Sequence, residues 1–296
     1  MESKYKSLSI FDFQRLFPHD DACLLHLSNM KWQGGFRCGK CGHDHYCVGS
    51  RPHDRQCTSC RYTESPTANT LFHKVKFPIH KAFWIVYYVA SNKKGISSTE
   101  LSRKLELRQK TSWGFKRKVM VAMKSSGNHP LDGVVEVDEA FVGGQENARG
   151  RGNKKKRLVV FAIERKGKGV SRLYGKVIPS AHAKHLGAFM DETVAKTAKI
   201  RTDGWTGYAP LKGKFKGLKQ ERSEPKGGNF KEMHRIIMGF KGWLRGIHHH
   251  AHHLQAYVDE YSFRFNRSFM HEGVFQNLLD KMVASQPHPF KTIVRG

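Results

Sequence analysis

The stretch GVVEVDEAFVGG, residues 133–144, is the one whose reading decides the fold. Its β-branched and aromatic residues, closed by a glycine pair, predict a short strand. Side chains alternate along a strand, so Glu136 and Asp138 share one face while Val135, Val137, Glu139 and Phe141 share the other. Acids in the middle of a strand that otherwise reads as buried are unusual, because carboxylates seldom enter a core without a partner. Asp138 is therefore a candidate functional residue. Gly143 and Gly144 end the strand rather than cradling a phosphate, since no helix begins directly after them.

Working outward, residues 145–157, QENARGRGNKKKR, are too basic and glycine-rich for a core element and read as a flexible phosphate-contacting loop. Two strand-like runs follow, LVVFAIER (158–165) and VSRLYGKVI (170–178), then a helix near 181–196. The next strand, AKIRT, ends at Asp203. Three strands, a helix and a strand ending in an acid are the order of a ribonuclease-H-like α/β sheet, whose acids meet at its centre. Two carboxylates on neighbouring strands can hold two Mg²⁺ ions for in-line displacement at phosphorus. Taken alone, the pair Asp138 and Asp203 has a blander reading, as helix caps or lysine partners.

Toward the N-terminus, residues 36–62 read FRCGKCGHDHYCVGSRPHDRQCTSCRY. Cys38 and Cys41 form one C-x-x-C knuckle and Cys57 and Cys60 another. This is zinc-ribbon spacing: each turn aims two thiolates at one ion, and two turns close a tetrahedral structural site. Cys47 or His43 can replace one thiolate; the competing readings are free cysteines in chance turns, or a rubredoxin-like redox site. Lys40, Arg51, Arg55 and Arg61 surround the knuckles and suit phosphate contacts.

Between the ribbon and the first strand, residues 80–123 carry helical periodicity. Phe83, Trp84, Val86, Tyr87 and Ala90 predict one apolar face, with Gly95 as the residue that ends the helix. Ser97 or Ser98 then caps a helix holding Leu101 and Leu105, with Glu100 as the capping-box partner of Ser97. A third helix over about 108–123 sets Trp113, Val119 and Met123 on one side and Lys110, Lys116, Arg117 and Lys118 elsewhere. Two short helices and a tight turn fit a DNA-reading helix-turn-helix, against the plainer alternative of a helical hairpin used as a linker or dimer contact.

The 296-residue chain carries 52 Lys and Arg against 25 Asp and Glu, a formal net charge of +27. That excess points to a polyanionic partner. No stretch approaches the ~20 apolar residues of a membrane span, and the N-terminus lacks a secretory pattern. A cytoplasmic, nucleoid-associated protein is expected. In a reducing compartment, four of the six cysteines falling in two close pairs indicates metal rather than disulfides.

The order of a C-x-x-C ribbon, a helix-turn-helix-like segment, VDEAFVGG, RTDGWTGY, a basic helix KGWLRG followed by histidines, and HLQAYVDEYSFRFNR resembles the zinc-ribbon insertion-sequence transposases of the ISXO2-like group, related to the Merlin elements. The resemblance spans nearly the whole chain. It implies a DDE-type transposase that uses divalent metal to cut transposon ends and join 3′-hydroxyls to target DNA. Asp138 and Asp203 match the family's first two metal-binding acids. The third, commonly Glu, has a basic residue seven positions later, and seven residues turn a helix through ~700°, leaving the two side chains on one face about 10 Å apart. Here that pair is His234 and Lys241: a departure that gives His234 the third metal position and Lys241 the DNA contact. Imidazole is a weaker partner than carboxylate for hard Mg²⁺, so Mn²⁺ is the favoured alternative. The rivals are Glu260, with Arg267 at +7, and Glu232. For His234 the bland reading is a helix-face hydrogen bond.

The expected architecture is α+β and multidomain: a zinc-ribbon DNA-binding region over 1–75, a helix-turn-helix-like segment over 76–128, and a ribonuclease-H-like catalytic domain over 129–296. Its partner is double-stranded DNA, as inverted repeats and target, bound by a dimer or larger assembly, because joining needs two ends together. The alternatives are a non-catalytic DNA-binding regulator or decayed transposase, and a nuclease that cuts without joining. The run His248–His253 reads as helix-end packing and phosphate contact rather than a metal tract. Leu254, Tyr257, Tyr261 and Phe265, spaced 3, 4 and 4, read as a stripe packed on the sheet.

Overall fold

The structure, a computed structural model, describes residues 8–143, 156–247, 253–268, 270 and 273–295. Most of the predicted basic loop, 145–155, and the histidine run 248–252 lie outside the described residues. The chain divides into two compact units, residues 1–123 with 270–296, and residues 124–269. Among the described residues no helix is long and apolar enough to cross a membrane.

The first unit opens with α1 (Ile10–Leu16), capped by Ser9, whose hydroxyl accepts the Asp12 amide at 3.0 Å, and α2 (Asp20–Lys31), with two acids in its first turn. Strands β1 (Tyr46–Val48), β2 (Arg55–Cys57) and β3 (Thr63–Glu64) form a small antiparallel sheet carrying the knuckles. Helix α3 (Ile79–Ser91) begins after Pro78. It buries Ala82, Phe83, Ile85, Val86, Tyr87 and Val89, more than the one face predicted, because it is surrounded. Trp84 and Ala90 are only partly buried. The helix stops at Ser91, and Gly95, expected as its terminator, instead takes φ +81° in the turn that leads to α4 (Ser98–Leu105). Ser97 caps α4, its hydroxyl accepting the Glu100 amide at 3.0 Å. A left-handed Glu106 (φ 52°) turns the chain into α5 (Gln109–Met123), which packs against α3 and α4.

The second unit is built on a five-stranded mixed sheet: β4 (Val134–Val142), β5 (Arg157–Lys166), β6 (Gly169–Ile178), β7 (Lys199–Thr202) and β8 (Leu218–Gln220). Their order across the sheet is β6-β5-β4-β7-β8. The first three strands pair antiparallel, whereas β7 and β8 run parallel to β4. This is the ribonuclease-H-like arrangement. Helix α6 (Ala183–Thr193) and the 3₁₀ segment Thr206–Gly213 cover one face, where Val135, Val137, Phe189, Ile200 and Tyr208 share a core. Strand β8 was not anticipated, because three residues with one buried side chain carry no periodic signal.

A second 3₁₀ segment, Pro225–Phe230, leads into α7 (Lys231–Ile247), which packs on β4, and α8 (Leu254–Asn266) packs on β6. Phe240 meets Phe161 with ring centroids 5.4 Å apart. In α8, Leu254, Tyr257, Val258 and Phe263 are buried, while Tyr261 and Phe265 of the predicted stripe are only partly so. Two α8 amides close the exposed edge of β6. Asn266 accepts from Leu173 N at 2.7 Å and donates back to its carbonyl at 2.9 Å, and Gln255 accepts from Val177 N at 2.8 Å. Side chains thus satisfy an edge that otherwise invites another strand.

The second unit ends at Phe269, not at the end of the chain as the sequence reading had it. Helix α9 (Gly273–Ala284) packs on α2, α3 and α5, and α10 (Phe290–Arg295) on α5. Phe275 joins the aromatic cluster of Phe13, Phe17, Phe83 and Tyr87, so burial of α9's apolar face returns the chain to the first unit.

Candidate active site

In the ribbon, the sulfur atoms of Cys38, Cys41, Cys57 and Cys60 lie within 4.8 Å of one another. The Sγ atoms of Cys38 and Cys60 are 3.6 Å apart, as are those of Cys41 and Cys57. Four sulfurs ~2.3 Å from one tetrahedral ion sit ~3.8 Å from each other, so the set suits zinc. Trp32 and Phe36 pack beside it. Cys47 is exposed on β1 and His43 pairs with the Thr58 hydroxyl at 3.1 Å, so neither replaces a thiolate. Arg55 lies between the rings of Trp32 and Tyr46, 4.4 and 4.1 Å from their centroids, which ties this basic residue into the ribbon.

The second unit brings Asp138 and Asp203 together. Val137 is paired with Thr202 across the parallel strands, so the next residue on each, Asp138 and Asp203, stands level where β7 ends. Each carboxylate is held by a nearby amide: Asp138 Oδ1 accepts from Glu139 N at 2.8 Å, Asp203 Oδ1 from Trp205 N at 3.1 Å. Burial, and then the charge of Asp203, push Asp138 up to about 6. Lys241, on α7, opposes that shift through its own charge. Its ammonium is lowered in turn by burial and by the charges of Lys156 and Arg245, while Asp138 pulls it back up. Two acids and a basic group thus converge at the centre of the sheet.

On the same face, two residues back, Glu136 is fully buried. Its Oε1 accepts from Arg165 at 3.0 Å and from Arg201 at 3.1 Å. Burial raises its pKa despite both guanidinium groups. Arg201 continues to Glu221 at 2.8 Å and to the carbonyl of Asn229 at 3.2 Å, linking β4, β7 and the segment before α7. On the opposite face the Tyr208 hydroxyl donates to Glu139 at 2.8 Å and fixes the 3₁₀ segment that follows Asp203. Sequence reasoning missed both networks. The available signal was an acid at Glu136 with the same alternation as Asp138 and an arginine in each neighbouring strand.

The third ligand position is less convergent. His234 lies in the first turn of α7, its ring against Gly227. Among the described residues, no group of three potential ligands containing Asp138 and Asp203 has its atoms within 4.8 Å. Glu232 forms an ion pair with Arg235, and its charge acts on Glu136. Glu260 is fully buried in α8, accepting from Arg264 at 2.7 and 3.0 Å, over β6 rather than β4. The oxygen donors of Asp138 and Asp203 suit a hard divalent cation such as Mg²⁺ or Mn²⁺.

In the helical segment, Arg108, Gln109 and Lys110 are exposed where α5 begins, whereas much of the helix beyond is buried. Lys116, set apart from the Trp113, Val119 and Met123 side in the sequence reading, is buried too, and its ammonium donates to Ile96 O at 2.7 Å.

The two units thus carry four clustered cysteines and, on a ribonuclease-H-like sheet, two level acids. Residues 130–266 match the ISXO2-like transposase domain, and residues 18–63 match the transposase zinc-ribbon domain. The chain thus joins a transposase zinc-ribbon domain to an ISXO2-like transposase domain. No curated protein matches it. Among solved structures, a chain in the crystal structure of a pre-cleavage Mos1 transpososome is 10% identical, covering 69% of this chain and 78% of that one, with a TM-score of 0.22.

Proposed function

We propose that the protein binds transposon-end DNA and catalyses metal-dependent cleavage and strand transfer. The observation that supports this most is the level pair of Asp138 and Asp203 on adjacent parallel strands, with Lys241 beside it. The two carboxylates would hold Mg²⁺ or Mn²⁺, and His234 is the proposed third ligand. The chemistry supplied by the bound metal is activation of the attacking oxygen and stabilisation of the leaving one during in-line displacement at phosphorus. Asp138 and Asp203 orient that centre. Lys241, with Lys156 and Arg245 near it, draws in the phosphate diester and offsets its charge. No protein nucleophile is required, because phosphoryl transfer depends on positioning and charge neutralisation.

The zinc-bound ribbon and the helical segment carry recognition of the terminal repeats in this reading, and a dimer or larger assembly holds two ends. The test is strand transfer by purified protein on a labelled DNA end, in Mg²⁺ and in Mn²⁺, beside Asp203→Asn and His234→Ala. Joined products lost in both variants support the assignment. Joining that survives His234→Ala moves the third ligand to Glu232, on the helix that packs on β4, and binding without cutting by the parent protein favours a DNA-binding regulator or decayed transposase.

A further inference from the structure

A cleft of about 750 Å³ opens in the first unit, between the loop before α3, the start of α5 and the segment that leads into α10. Its residues lie outside both family matches, so neither domain family assigns it a role. Five cationic side chains line it: Lys74, Lys76, Arg108, Lys110 and Lys118. His73 and His288 join them, and no carboxylate lines the cleft. Charge of one sign gathered in a concavity attracts an anion.

The remaining wall is apolar and partly aromatic. Phe77 meets Phe115 edge-on at 5.5 Å, and Phe290, 40% exposed, lines the cleft beside them. That ring lies against Gly114, where a Cβ would stand 2.7 Å from Phe290 Cε2. The Lys110 ammonium sits 5.7 Å from the Phe290 centroid, so cation and aromatic face form one surface. Burial lowers the pKa of both Lys118 and His288, and the Lys118 charge lowers His288 further. A bound anion would relieve that cost.

Cations beside aromatic faces are the chemistry that holds unpaired nucleotides, with phosphates on the bases' flank and the bases stacked. The volume suits one small organic group. We propose that this cleft seats an unpaired nucleotide of the DNA on which the protein acts, its base on Phe290 and its phosphate on Lys74, Lys76, Arg108 and Lys110. The proposal rests on the reading that the chain is a DNA-processing enzyme, and it adds a single-strand subsite to that reading.

The experiment compares binding of full-length protein to one labelled duplex with blunt ends and to the same duplex with a two-nucleotide tail on either strand. A 2-aminopurine in the tail reports stacking. The tailed duplex is expected to bind about tenfold more tightly, the scale of one stacked base, and the 2-aminopurine to be quenched. In Lys74→Ala/Lys110→Ala, two exposed positions, the preference falls to within about twofold. Phe290→Leu keeps an apolar contact on Gly114 but loses the quenching. Equal binding of tailed and blunt duplexes by the native protein overturns the subsite alone, as does a preference that survives both variants. Failure to bind any of these DNAs overturns the DNA reading and the subsite with it.

Discussion

Gly227 and His234 form one packed unit: with Gly227 at φ +69°, a Cβ on it would stand 1.9 Å from both Nδ1 and Cε1 of the imidazole. Gly227→Ala therefore carries two penalties, a left-handed backbone and a steric overlap with a ring in the first turn of α7. The expected cost is ~1–3 kcal/mol in stability. His234→Ala removes the overlap, so Gly227→Ala in that background should cost measurably less. A double-mutant cycle by thermal or urea denaturation reads the coupling, and additive effects would show that the two residues do not touch.

Asp138 next to Asp203 makes a testable pH signature. Its folded carboxyl titrates at about 6, above the ~3.9 of an unfolded chain. A raised acid contributes stability that is present below about pH 4 and lost as pH rises to about 6. Asp138→Asn mimics the protonated form. Without divalent metal it should be more stable than the native protein at pH 8, by about 1–2 kcal/mol, and nearly equal at pH 4. Strand transfer should be abolished, and Mn²⁺ should raise Tm in the native protein but not in the variant. A variant less stable at pH 8 would contradict the shared site.

The ribbon should depend on its ion. Three short strands, of three, three and two residues, cannot hold four thiolates together by burial alone. Chelation, or Cys57→Ser, is expected to release about one zinc per chain and melt residues 36–62. Metal analysis with amide hydrogen exchange checks this; retained protection over that segment after zinc loss would refute it.

Glu164 gives the acid limb of the stability profile. Burial raises this carboxyl, but hydrogen bonds from Arg172, the Asp132 amide and Ser171 outweigh it and hold the group down to about 2. A depressed acid contributes stability above the unfolded value of ~4.3, and loses it as pH falls toward 2. Glu164→Gln should cost ~1–3 kcal/mol at pH 7. It should also flatten the dependence of Tm on pH between about 4.5 and 2, which calorimetry across that window measures.

Much of the second unit was legible because its signals are local. Alternation in 133–144 put Asp138 on the face opposite Val135 and Val137, as found, and the run 158–163 is buried throughout. Helix α4 begins where Ser97 and Glu100 said it would. Less legible were features that need a partner distant in sequence. Burial of the Lys116 ammonium depends on the carbonyl of Ile96, which the turn between α3 and α4 brings within reach. The third-ligand choice belongs to the same class, because spacing within α7 or α8 does not say which strand the helix crosses.

By itself the sequence determined what the backbone period and cysteine spacing encode: a metal ribbon, a helical segment, and a sheet with two acids. Those properties arise within a few residues of one another, where covalent geometry and hydrophobic alternation leave few alternatives. Tertiary structure alone decided that the level register of β4 and β7 sets Asp138 beside Asp203, that Glu136 is buried between Arg165 and Arg201, and that α9 closes the first unit. Each depends on which apolar faces cover one another, a choice set by the burial available across the whole chain rather than by any one segment.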